Sequence, residues 1–362
     1  MANEMSVIKT TVISIRIRLA RNFAAYPFPR KMDDAQAEDI VYLVGERLKQ
    51  FDEFTKWEIE GLSRQQATLL KERYLISPAL LKSKKGAAFV SADMAISIMV
   101  NEEDHLREQY IFRGADFYTA LEKGKDKPLE KAFYQAYERI SGIDDGLAES
   151  YDLAFDEKLG YLTACPSNLG TGMRASVMMF LPGLTQNGGL KAALPTLKAN
   201  GLTVRGTFGE GSNTEGCIYQ ISNERTLGVS EKDILEAVIS TTKQLCEEES
   251  KAREEMLEKA GAELKDKCLR AYGTLTNCAI LSDSELFSKL LEVRLGMALG
   301  FLETVDAAEF ENFFNDMRPT AFRISNGLER ASERRCDEAR AETTCNFLPE
   351  IVRVVRRKIN EE

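Results

Sequence analysis

Residues 12–22 read VISIRIRLARN, and the alternation in this stretch decides the fold of the first half of the chain. Ile13, Ile15, Ile17 and Leu19 fall on one side of an extended backbone, with Ser14, Arg16 and Arg18 on the other. A period of two is the pattern of a half-buried strand, here with two arginines on its polar face. Spacing alone leaves two readings open: a solvated face, since alternating arginines are common, or a face that binds anions.

Similar short segments recur at 87–90, 95–100, 159–164, 175–181, 201–204 and 217–222. Helical patterns lie among them at 33–49, 63–73 and 129–140, with Ser63 placed to cap the second. Around Ser230 the character changes. Ser230 with Asp233 marks a helix start, and Ser282 with Glu285 marks another ahead of Leu286, Leu290, Leu291, Leu295 and Leu299. The charged run 247–263 reads as a solvated helical face and a connector. The remainder is largely helical to the basic segment 353–358, so the expected division is 1–259 and 260–362, near Ala260.

A chain of 362 residues is long enough to split into domains. The formal net charge of −9 argues against indiscriminate nucleic-acid binding, so no direct nucleic acid is expected as a partner. No run approaches membrane-spanning length, and MANEMSVIKTTVIS lacks the apolar centre of a signal peptide; the expected location is cytoplasmic. Seven scattered cysteines fit reduced thiols better than a disulfide framework. His105 is the only histidine, which excludes a multi-histidine metal site, and no protein-held metal is expected.

Three features could carry chemistry. Arg16, Arg18, Arg107, Arg174 and Arg205 each sit beside a distinctive turn or strand. Phosphoryl transfer needs cations around the nonbridging oxygens, and the planar guanidinium fork suits that task. The acidic segment 101–107, NEEDHLR, could supply a base, or could merely begin a helix with Glu103 and Arg107 paired one turn apart. His105 reads more readily as structural than as a base. Glycine-bearing turns at 168–172 and 206–211 would let backbone amides approach phosphates, yet neither is a Walker A or Rossmann sequence.

Together, VISIRIRLARN (12–22), NEEDHLR (101–107), CPSNLGTGMRAS (165–176), RGTFGE (205–210) and IYQISNER (218–225) resemble the phosphagen-kinase family of ATP:guanidino phosphotransferases. Their order and spacing cover most of residues 11–230. The resemblance implies an α+β catalytic domain, a large antiparallel sheet flanked by helices, followed by a smaller all-helical domain. It implies ATP as cofactor, with Mg2+ held mainly through nucleotide phosphates. Arg16, Arg18, Arg107, Arg174 and Arg205 would bind those phosphates. Glu103 and Glu210 would grip the acceptor guanidinium, with Glu103 as the base, and Cys165 would be the substrate-side thiolate. The stretch 208–215 resembles a loop that closes over nucleotide.

Some departures point to the bacterial branch that acts on proteins. Phe208 stands where the metabolite kinases have arginine, Met178 where they have histidine, and the signature strand begins at residue 12 without a preceding helical domain. The implied activity is ATP-dependent phosphorylation of arginine side chains in proteins, within a stress response. Implied partners are protein substrates with accessible arginines, an activator protein, protease-chaperone machinery and a second copy in a homodimer. The alternatives are a free-arginine kinase and a non-catalytic phosphoarginine-binding regulator. The branch also carries a phosphoarginine pocket with the motif Arg-Asp-x-x-Arg-Ala. Here 336–341 read CDEARA, so Asp337 and Arg340 remain, Cys336 replaces the first arginine, and Arg335 is adjacent. Ile15 also departs from the family's small hydroxyl residue.

Overall fold

The computed structural model describes residues 4–51, 53–206 and 216–356. A short helix, α1 (Glu4–Thr11), leads into β1 (Val12–Arg21). β1 lies inside an eight-stranded sheet with β2 (Phe54–Glu58), β3 (Ala87–Ser91), β4 (Ile96–Val100), β5 (Leu106–Phe112), β8 (Met173–Phe180), β9 (Leu202–Gly206) and β10 (Ile218–Asn223). The order is β2-β3-β4-β5-β1-β8-β10-β9, and every neighbouring pair is antiparallel. A small hairpin, β6 (Phe155–Asp156) with β7 (Gly160–Tyr161), stands apart; only two residues of the expected extended run 159–164 pair in it.

The alternation of β1 does what its sequence implies. Ile15, Ile17 and Leu19 are at most 1% exposed. Ile13 is an exception, because the register against β8 shifts between Val12 and Ser14. A bulge of this kind reverses the phase of the strand. Val12 therefore joins the buried row, and Ile13 is left half-buried on the opposite side.

Helices cover the apolar face of the sheet: α2 (Asp34–Leu48), α4 (Gly114–Lys123), α5 (Pro128–Ser150), α6 (Pro182–Gln186), α7 (Gly189–Ala199) and the first half of α8 (Glu231–Thr276) belong to that layer, while α3 (Arg64–Glu72) builds a satellite core. Asp33 with Gln36, Ser63 with Gln66 and Ser230 with Asp233 form complete capping boxes at α2, α3 and α8. At Ala260 the α8 backbone leaves helical geometry, at φ −149° and ψ 34°.

Beyond that kink a second core forms among α8, α9 (Asp283–Ala298), α10 (Ala307–Asp316), α11 (Pro319–Ser325) and α12 (Glu333–Ile351). This part is not purely helical, since β11 (Leu302–Thr304) pairs with β12 (Val352–Val354). It docks back onto the sheet domain through polar contacts. The Glu72 carboxylate accepts from Thr320 N at 3.1 Å and Thr320 Oγ1 at 2.8 Å, capping α11, while Arg73 pairs with Asp316 at 2.7 Å.

The run 247–263 is only partly solvated. Glu249 and Arg253 lie one turn apart on the inner face of α8 and are both buried. Glu249 accepts from the amides of Gly183 and Leu184, each at 2.9 Å, and from Arg253 Nε at 2.8 Å. It thereby satisfies the start of α6 and neutralises the arginine. Glu249→Ala should lower unfolding free energy by about 3–5 kcal/mol, because a buried guanidinium loses its partner. Urea denaturation checks this, and a loss below about 1 kcal/mol would show the pair to be dispensable.

Candidate active site

The antiparallel register brings the strand arginines together on one face. Arg16 lies opposite Ser176 on β8 and Ile111 on β5; Arg18 lies opposite Arg174 and Gln109; Ala20 lies opposite Arg107. Arg205 on β9 lies opposite Gln220 on β10, whose other neighbour is Met178 on β8. Side chains on directly opposed positions share a face, so all five arginines project from the side away from the apolar helix layer.

Their charge is poorly balanced. Arg107 donates to both oxygens of Glu102 at 2.8 Å, and Arg174 donates to Ser222 Oγ at 3.2 and 3.0 Å. The guanidinium groups of Arg16, Arg18 and Arg205 form no hydrogen bond or ion pair among the described residues. Burial, then Arg107 and Arg174, push the Arg16 guanidinium down to about 10. Burial and repulsion from Arg16, Arg107 and Arg174 hold Arg18 well below its ordinary value. Arg174 is lowered by burial, then by Arg205 and Arg107. A half-buried face of like charges disfavours its own charged state, and a bound polyanion would relieve that repulsion.

The acidic segment does not begin a helix. Asn101, at φ 60°, reverses the chain between β4 and β5 and donates through Nδ2 to Ala37 O at 2.9 Å. The turn directs Glu102, rather than Glu103, toward Arg107, and Ser77 Oγ also donates to Glu102. Glu103 is exposed and forms no hydrogen bond or ion pair among the described residues. His105 is fully buried and stacked on Phe23. Its Nδ1 accepts from Phe23 N at 3.0 Å, leaving Nε2 to donate to Pro27 O at 2.9 Å. Burial lowers its pKa, so it is a neutral structural group.

Two residues to which the sequence assigned no role tie this turn to the cysteine loop. Asn22 Nδ2 donates to Asp104 Oδ1 at 2.7 Å and Leu162 O at 3.0 Å, and Asn22 Oδ1 accepts from His105 N at 2.8 Å. Asp104 Oδ1 also accepts from Ala164 N at 2.6 Å. The residues flanking Glu103 and Cys165 are therefore joined through one buried amide and one buried carboxylate. Cys165 is half-buried, with Sγ 3.0 Å from Ser167 Oγ. Both Asn22 and Asp104 stand inside the quoted motifs, which was the only available signal.

Arg21 holds the same loop from below. It binds Asp144 on α5 through Nε and Nη2 at 2.7–3.0 Å, donates to Thr171 O at 2.9 Å, and covers the Tyr161 ring at 3.6 Å. Gly172, at φ +63°, passes so close that a Cβ would come within 2.6 Å of Arg21 Nη1. The glycine in this turn serves close packing of the protein on itself.

Glu210 and the stretch 208–215 lie outside the described residues. In the helical part, Arg340 is fully buried: Nη1 donates to Leu281 O and Asp337 Oδ1, both at 2.7 Å, Nη2 faces Asp283, and the guanidinium covers Phe322. Cys336 is fully buried, and Arg335 points outward toward Glu338. Asp337 and Leu281 O thus engage only Nη1 of Arg340; its buried Nε and Nη2 form no hydrogen bond among the described residues.

Residues 36–252 match the sequence model of the ATP:guanido phosphotransferase C-terminal catalytic domain, and residues 261–355 match that of the protein-arginine kinase McsB C-terminal domain. The chain belongs to the ATP:guanido phosphotransferase family. A protein-arginine kinase of Caldanaerobacter subterraneus subsp. tengcongensis is 38% identical over 327 residues, 89% of this chain and 92% of that one. A protein-arginine kinase of Bacillus subtilis is 39% identical over 318 residues, 84% and 80% of the two chains. Among solved structures, lombricine kinase matches with a TM-score of 0.56 at 23% identity, covering 69% of this chain and 68% of that one. The substrate-free duplicated taurocyamine kinase of Schistosoma mansoni matches at 0.55 and 24%, covering 72% of this chain and 36% of that chain. These two likenesses concern the fold.

At pH 7, well below the usual guanidinium range, a depressed arginine pKa is a folding penalty. Arg18→Met, which keeps the apolar stem, should therefore stabilise the ligand-free protein by roughly 1 kcal/mol. It should also abolish most of the rise in melting temperature caused by ATP. Differential scanning calorimetry with and without ATP reads both, and a destabilised ligand-free variant would contradict the charge argument.

Proposed function

We propose that this chain transfers the γ-phosphoryl group of ATP to arginine guanidinium groups in other proteins. The observation that carries the reading is the single face of five arginines running toward the turn that bears Glu103. Identity of 38–39% to protein-arginine kinases over most of both chains supports a protein acceptor. The division into 1–259 and 260–362 at the Ala260 kink belongs to the same proposal.

β1 gives the site a direction. Ser14 and Arg16 lie toward one end, and Arg21 and Asn22 lead to the Glu103 turn and the Cys165 loop at the other. We assign the polyphosphate to the arginines between and the acceptor to the Glu103 end. Among the described residues no group of three or more His, Cys, Asp or Glu could hold a metal, and a cationic face repels a bare one. Magnesium is assigned mainly to the nucleotide phosphates, where it would neutralise part of their charge.

In the proposed reaction a guanidinium nitrogen loses its proton to Glu103 and attacks the γ-phosphorus. The bond to the β–γ bridging oxygen breaks, and ADP leaves. The strand arginines hold donor and acceptor in line and offset negative charge on the group in transit. Free guanidinium is almost never neutral at pH 7, so proton loss must accompany transfer. Glu210 and Cys165 are proposed to grip the acceptor beside Glu103. The Asn22–Asp104 pair would set the position of the turn. An acidic protein of net charge −9 would attract basic targets. No helix among the described residues is long and apolar enough to cross a membrane.

Incubation with ATP and an arginine-rich protein should place phosphate on arginine, read by mass spectrometry under conditions that preserve acid-labile P–N bonds. Millimolar free arginine should compete poorly. Glu103→Gln should reduce transfer by at least a hundredfold while ATP affinity stays within a few-fold. Efficient phosphorylation of free arginine alone would overturn the protein acceptor, and undiminished turnover by the variant would overturn the base.

A further inference from the structure

Three apolar side chains stand exposed around the loop that carries Cys165: Phe155 at 59%, Leu159 at 43% and Leu227 at 44%. Apolar residues scattered singly on a surface need no explanation, but these belong to segments that the backbone ties together. Phe155 and Leu159 are on the β6–β7 hairpin, whose Tyr161 N donates to Gly170 O at 2.7 Å. Leu227 follows Thr226, whose Oγ1 donates to Ser167 O at 3.1 Å and Leu169 O at 2.8 Å, and whose carbonyl accepts from Thr171 N at 3.0 Å. Gly170 passes so close that a Cβ on it would come within 2.8 Å of Leu227 Cα. The Cys165 loop is thus bonded to both segments that carry the exposed apolar residues.

We propose that Phe155, Leu159 and Leu227 form a docking surface for apolar side chains that flank the target arginine in an extended acceptor polypeptide. The inference rests on the function proposed above and names what the acceptor carries beside its guanidinium. The surface is ordered before any chain arrives. Phe155 meets the Tyr161 ring edge-on at 5.3 Å, and Tyr161 lies under the Arg21 guanidinium that Asp144 anchors. Asp156 Oδ1 accepts from Lys158 N and Leu159 N at 2.8 and 2.9 Å, which fixes the turn that presents Leu159. A preordered surface gives up little conformational freedom on binding. Position and charge favour an arginine-bearing chain over a second copy of this protein. The surface adjoins the Cys165 loop at the proposed acceptor end, and on the same segments the exposed acids Asp152, Asp156, Glu157 and Glu224 outnumber Lys158 and Arg225. Two such acidic surfaces would repel one another, whereas a basic chain is attracted. An extended chain advances ~3.3 Å per residue, so residues up to about four positions from the arginine lie within ~13 Å of it, the scale of a single loop and hairpin.

The test separates the flanking residues from the arginine itself. Two soluble peptides carry one central arginine, flanked on each side by two leucines in one and by two serines in the other. Their kcat/KM for arginine phosphorylation is measured with the wild type, Phe155→Ser and the double variant Leu159→Ser/Leu227→Ser, with thermal unfolding to confirm that each is folded. The wild type should favour the leucine peptide about tenfold, and both variants should lose most of that preference while holding the serine peptide within about twofold. No wild-type preference, or an undiminished one in both folded variants, overturns this inference and leaves the proposed function standing. Equal loss on both peptides also overturns it, since the effect would then not concern the flanking residues. Light scattering addresses the other occupant: a wild-type assembly dispersed by Leu159→Ser/Leu227→Ser, with peptide preference intact, would make the surface a contact between copies. Phosphorylation of an arginine-rich protein but of neither peptide overturns the inference alone, because an extended segment would then not suffice as acceptor. Phosphorylation of none of them overturns both readings.

Discussion

Five guanidinium groups on one side of a sheet repel one another, and burial on the other side holds them there. Ile15, Ile17 and Leu19 of β1, with Ala175, Val177 and Met179 of β8, are essentially inaccessible to solvent. Each of these side chains other than Ala175 contributes roughly 1.5–3 kcal/mol through burial, which outweighs the repulsion of half-solvated charges. The depressed guanidinium pKa values of Arg16, Arg18 and Arg174 record what remains of that conflict. A ligand rich in negative charge removes it, so the same arrangement that weakens the free protein strengthens binding.

Order along the strands converts that charged face into a directed site. Antiparallel pairing fixes which residues are neighbours across β5, β1, β8, β10 and β9, so no long side chain has to find its place alone. Asn22, Asp104 and Arg21 then tie down the loops at the proposed acceptor end, through bonds of 2.6–3.0 Å to backbone groups and to one another. These loops carry the exposed Glu103 and half-buried Cys165. A carboxylate and a thiol on rigidly held turns can face an incoming chain without moving the sheet.

Local pattern made much of this legible. The alternation of VISIRIRLARN, the caps at Ser63, Ser230 and Ser282, and the matching motifs all act within a few residues, where sequence is informative. What escaped depends on tertiary context. Three acids after a strand look like a helix start until Asn101 takes a positive φ, which turns Glu102 inward and leaves Glu103 outside. Glu249 and Arg253 look solvated because their neighbours are charged, although helical geometry places them on the inner face. The bulge that reverses Ile13 carries no glycine or proline to announce it.

The most direct test of the central claim uses a stand-in for the group in flight. Nitrate is planar, trigonal and anionic, like the metaphosphate-like centre of a loose phosphoryl transfer. With MgADP and an arginine-containing peptide both present, nitrate should tighten ADP binding by about tenfold or more, because only then are all parts of the transition state assembled on the arginine face. Nitrate with ADP alone should do little. If nitrate leaves ADP affinity unchanged with the peptide present, the arginine face is not where the phosphoryl group crosses to its acceptor.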